Sequence, residues 1–94
     1  MDMITAIVMV NCDVDRIPEA AQGIADLEWV REVYSVTGDV DLIARVKVSK
    51  YENLADVIAD GMAKVPGVTT LRTHVAFRTY SNSDLEEAFH LGLD

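Results

Sequence analysis

Two runs rich in β-branched residues meet at a Gly-Asp pair in Val33-Tyr34-Ser35-Val36-Thr37-Gly38-Asp39-Val40-Asp41-Leu42-Ile43-Ala44-Arg45-Val46-Lys47-Val48. No other stretch of the chain restricts its fold as tightly. Strand formers on both sides of such a pair read as a β-hairpin. Gly38 can take a positive φ without a Cβ penalty, and Asp39 tolerates left-handed backbone. Along the second run Leu42, Ala44, Val46 and Val48 fall on one face of a strand, and Asp41, Ile43, Arg45 and Lys47 on the other. Thr37, Asp39 and Asp41 crowd the turn. A hydroxyl, carboxylates and free backbone N–H groups in one place can hold a small zwitterion. An ordinary turn also accounts for Gly38 and Asp39.

The segments around the hairpin complete an alternating pattern. Met3 to Val10 is apolar at almost every position, which marks a strand covered on both faces rather than one. Asn11-Cys12-Asp13-Val14-Asp15 breaks the strand, and a helix is expected over Ile17 to Leu27. There Ala20, Ile24 and Leu27 recur at helical spacing and Pro18 sits in the first turn. Gly23 weakens that helix and is expected to mark close packing on a sheet. After the hairpin, Ser49-Lys50-Tyr51-Glu52 fits a capping box. Leu54, Val57, Ile58, Gly61 and Met62 then form the apolar stripe of a second helix. Pro66-Gly67 ends it. A last strand is expected over Val68 to Thr79, with Leu71, Val75 and Phe77 on one face beside Thr69 and Thr73. Polar Thr70, Arg72, His74 and Arg78 share the other face with Ala76.

The order is βαββαβ, a ferredoxin-like α+β fold with two helices on one face of a four-stranded antiparallel sheet. The first strand is apolar on both sides, so the second face of the sheet also needs a cover. A second copy of the same sheet supplies one, which makes a two-fold dimer of the α+β barrel type the expectation. Ser81 to Asp94, with Ser83-x-x-Glu86 as a capping box and apolar Leu85, Ala88, Phe89 and Leu91, reads as a short C-terminal helix.

Charge and cysteine usage narrow the function classes. The 94 residues form one domain, 1–94, and carry 8 basic against 16 acidic side chains, a net charge of −8. Such a surface repels phosphate backbones, so the chain is not expected to bind nucleic acid by itself. The single Cys12 excludes an internal disulfide, and no apolar run approaches the roughly 20 residues of a membrane span. A cytoplasmic location is expected.

The succession Glu32-Val33-x-x-Val36-Thr37-Gly38-Asp39-Val40-Asp41-Leu42, then Pro66-Gly67-Val68 and a strand bearing Thr73, resembles the effector-binding RAM domain of the Lrp/AsnC transcriptional regulators. The resemblance runs from about Ile4 to Tyr80. It implies a stand-alone RAM protein without the helix-turn-helix domain of full-length members. It further implies dimers assembled into octamers or decamers, and amino-acid effectors bound in clefts between dimers. Carried onto this sequence, the ligand-binding residues are Thr37, Gly38, Asp39, Val40, Asp41 and Thr73. Thr73 matches the second threonine of the family's Thr-x-Thr, and Leu71 replaces the first, which makes that end of the pocket less polar.

Catalytic chemistry finds little support. His74 and His90 lie 16 residues apart, neither beside a cysteine or carboxylate at metal-ligand spacing, and Cys12 follows a buried strand as inert cysteines do. No catalytic residue, metal or cofactor is assigned. Two other readings remain open on the fold alone. One is a cofactor-free dimeric enzyme of the monooxygenase or isomerase type, which would enclose an apolar pocket between helices and sheet. The other is a ligand-free oligomerisation partner of full-length Lrp/AsnC regulators.

Overall fold

The computed structural model describes residues 3–82. Strand β1 (Ile4–Cys12) leads through a short 3-10 turn (Val14–Arg16) into helix α1 (Ile17–Ala25). Strands β2 (Val30–Ser35) and β3 (Leu42–Val48) follow, then helix α2 (Tyr51–Ala55), which continues as a π-helical stretch (Asp56–Gly61) and a 3-10 turn (Met62–Lys64). Strand β4 (Val68–Ala76) closes the fold. The order in the sheet is β2-β3-β1-β4, and every neighbouring pair is antiparallel. This is the expected βαββαβ arrangement. The expected C-terminal helix and its capping box lie outside the described residues, as does His90.

Alternation in the two central strands places the core. Ala6, Val8, Val10 and Cys12 of β1 face the helices beside Leu42, Ala44, Val46 and Val48 of β3, all of them buried. Ala20 and Ile24 of α1, with Leu54, Val57 and Met62, close over them. The opposite residues of β1 behave differently. Ile7 and Met9, level with Arg45 and Ile43 on β3, remain half-buried because none of the described elements lies over that face.

Four local expectations are corrected. Helix α1 stops at Ala25 rather than Leu27, and the chain reverses through a turn in which Trp29 adopts φ 78°. The Ser49 capping box does not form. Lys50 is the N-cap without a side-chain bond, and the Ser49 hydroxyl instead accepts from the Asn53 amide at 3.2 Å. Gly23 packs not on the sheet but on the connector into β4, where a Cβ would stand 2.9 Å from Val65 Cγ1. Finally, β4 ends at Ala76 because its partner begins there. Thr5 pairs with Ala76, and β1 offers almost nothing beyond it. Phe77, expected on the apolar face, is 97% exposed as a result.

Candidate functional site

The β2–β3 connection is a six-residue loop, 36–41, rather than a two-residue turn. Gly38 takes φ 117°, the conformation that favours glycine. The loop is anchored from its C-terminal end. The Val36 N–H donates to the Asp41 carbonyl at 3.1 Å, and the Asp41 N–H donates to the Val10 carbonyl at 3.0 Å. Asp41 Oδ2 accepts from the Cys12 N–H at 2.8 Å. That last bond occupies the end of β1 where its register with β4 shifts between Asn11 and Cys12. Val40 is buried, while Thr37, Gly38 and Asp39 stand exposed. The loop thus has a fixed base of Val40 and Asp41 and an open tip of three residues.

The tip reaches across the end of β1 to the far edge strand. Asp39 Oδ2 lies 3.7 Å from Arg72 Nη2 on β4. Thr73 is the next residue, but its side chain belongs to the other face. It pairs opposite Val8 on the helix side, whereas Arg72 pairs opposite Met9 on the open side. Of the six residues expected to bind a ligand, the structure gathers Thr37 to Asp41 in one loop. Thr73 is exposed on the helix-side face of β4. Arg72 was not among the residues expected from sequence. Its only signal there is its place among the polar alternate positions of the last strand.

Among the described residues the shifted titratable groups are a buried thiol and a surface bridge. Burial, then the negative charges of Asp41 and Asp13, push the Cys12 thiol above its ordinary range, so it is a poor nucleophile at neutral pH. On the open face Arg45 donates to Glu32, and this bond, with a second from the Tyr34 hydroxyl, holds the Glu32 carboxyl below the usual glutamate range. Tyr34 is raised in turn, chiefly because its hydroxyl proton is held in that bond to Glu32. Among the described residues no group of three or more His, Cys, Asp and Glu side chains converges for a metal. A pocket of about 250 Å³ opens between the α1–β2 turn and the π-helical stretch. Glu28, Asp56 and Asp60 line it with Leu27, Trp29, Val57 and Gly61, so it is not the apolar enclosure of a cofactor-free enzyme.

A family model described as the Lrp/AsnC ligand binding domain matches residues 5–85. The chain belongs to this Lrp/AsnC family. It is 24% identical over 78 residues to the HTH-type transcriptional regulator FL11 of Pyrococcus abyssi, covering 83% of this chain and 51% of the regulator. The chain therefore spans about half the length of the curated relatives it matches. TTHA0845 of Thermus thermophilus is 41% identical and superposes with a TM-score of 0.79, over 83% of this chain and 98% of that one. The Mycobacterium tuberculosis feast or famine regulatory protein complexed with L-methionine shares the fold at TM-score 0.71. It is 23% identical, over 84% of this chain and 54% of that one. In this Lrp/AsnC domain, as in the expectation from sequence, the sheet carries its helices on one face. No helix among the described residues is long and apolar enough to cross a membrane.

Proposed function

We propose that this Lrp/AsnC domain senses an amino acid and acts in the regulation of transcription or amino-acid metabolism without touching DNA itself. The observation that carries the reading is the open loop tip Thr37-Gly38-Asp39, held on a fixed base and facing a cation on β4. Acceptors, donors and both signs of charge lie within reach of one small zwitterion. Thr73, on the opposite face of β4, stands outside this group. The methionine complex of the mycobacterial relative supports the same ligand class.

Assembly is part of the proposal. Ile7, Met9 and Ile43 form a half-buried apolar centre on the open sheet face, and a second copy covers it as a two-fold dimer. Dimers then join into rings of the octamer or decamer type, with the effector cleft between them. The net charge of −8 opposes binding to duplex DNA; any contact with DNA is made through a full-length regulator in a mixed assembly.

A thermal-shift screen with the twenty L-amino acids tests the reading, since a ligand that binds only the folded state raises its midpoint. Calorimetry then compares the wild type with Asp39→Ala, which removes an exposed carboxylate and leaves the Asp41 anchor intact. Loss of one charge-assisted bond is expected to weaken binding about 10-fold or more. If no amino acid shifts the midpoint, the sensor reading fails and the assembly role alone stands.

A further inference from the structure

The Asp39–Arg72 pair contributes little as a structural bond. Its atoms are 3.7 Å apart, and the two side chains are 90% and 58% exposed; a pair this long and this wet adds almost nothing to stability. It nevertheless joins the tip of the 36–41 loop to the opposite edge of the sheet. The guanidinium presents five donors in a flat fork suited to a carboxylate, and its contact with Asp39 is made from Nη2.

We infer that Arg72 is the residue that recognises the carboxylate of the effector, which enters by inserting between the two partners. The inference rests on the reading of the 36–41 loop as the amino-acid site. The ligand's ammonium takes the place of the guanidinium beside Asp39, and its carboxylate takes the place of Asp39 on the fork. One long, solvent-screened pair is exchanged for two charge-assisted contacts, which are the stronger kind. A zwitterion adds no net charge, so the excess of 16 acidic over 8 basic residues does not oppose its entry. The long, exposed Arg72 side chain has the freedom to swing back and admit it. The exchange also sets a chemical requirement. A ligand without its carboxylate keeps only the Asp39 half of the site, and one without its ammonium keeps only the Arg72 half.

Calorimetry with matched probes tests this. The probes are the L-amino acids that shift the wild-type midpoint, each beside the amine formed by loss of its carboxylate: 3-methylthiopropylamine for methionine, isoamylamine for leucine, cadaverine for lysine. Wild-type protein is expected to prefer the amino acid over its amine by about 10-fold or more, the value of one charge-assisted bond. Arg72→Gln should lose that preference by weakening the amino acid, while the amine, freed from competition with the guanidinium for Asp39, binds at least as well as before. Arg72→Lys, which keeps the charge without the fork, should fall between the two. The unliganded midpoint of each variant reports folding separately and should stay near wild type. An unchanged preference in Arg72→Gln, with binding lost in Asp39→Asn, would place the carboxylate elsewhere and overturn the inference while the sensor reading stands. Absence of amino-acid binding in the wild type would overturn both.

Discussion

Asp41 shows how one side chain changes meaning once its neighbours are known. In the sequence it is a second carboxylate beside a turn; in the fold its Oδ2 accepts the Cys12 N–H at 2.8 Å. That bond ties the hairpin loop to β1 at the point where the β1–β4 register slips. Asp41→Ala leaves a partly buried N–H unsatisfied and is expected to lower unfolding free energy by about 1.5–3 kcal/mol in urea titration. Asp41→Asn should recover part of the loss, because its amide oxygen still accepts. Gly38 carries a different kind of cost. A Cβ there would meet nothing within 4 Å, so the penalty of Gly38→Ala comes from φ 117° alone. A destabilisation of roughly 1–2 kcal/mol is expected, with the core unchanged by near-UV circular dichroism.

At the scale of elements, β1 and the segment after α2 sit at opposite ends of regularity. Strand β1 is hydrogen-bonded along both edges and holds four of the buried core residues. The second helix, by contrast, is regular only over Tyr51–Ala55 before it widens into π geometry and then tightens into a 3-10 turn. Gly61 closes the widened turn at a place where a Cβ would stand 3.1 Å from Leu27 Cδ1. Amide hydrogen exchange is therefore expected to be slowest in β1 and faster across 56–64, where opening breaks fewer shared bonds. Mass-spectrometric exchange resolves the two segments. Equal protection in both would show that the irregular stretch unfolds only with the whole domain.

For the whole molecule, the unequal faces of the sheet matter most. One face is sealed by helices; the other leaves Ile7, Met9 and Ile43 half-buried between the Glu32–Arg45 bridge and the Asp39–Arg72 pair. Apolar centres with charged margins are the usual composition of a protein interface. Met9→Glu places a charge at that centre and is expected to convert a dimer or larger species to monomer. The β1–β3 core on the helix side, which Met9 does not face, should remain folded. Sedimentation equilibrium at micromolar concentration measures the mass of both proteins. A wild type that is already a well-folded monomer would remove the basis for the assembly.

Much of this architecture was legible in the amino-acid order. Alternation in Leu42–Val48 assigns the buried face of β3, the continuous apolar run in β1 marks it as central, and Pro18 and Pro66-Gly67 punctuate the helices. These signals are local because side-chain direction repeats every two residues in a strand and about every four in a helix. The Thr37-Gly38-Asp39 tip was legible for the same reason, since φ 117° at Gly38 is a property of one residue. Partnership across the sheet was not. Asp41 meets a backbone N–H 29 residues away, Asp39 meets Arg72 on a strand with which its own hairpin never pairs, and β4 stops where β1 begins. Each depends on strand order and register. Those are settled only when the helices choose a face and the chain closes over them, so the tertiary structure decided which charges stand together.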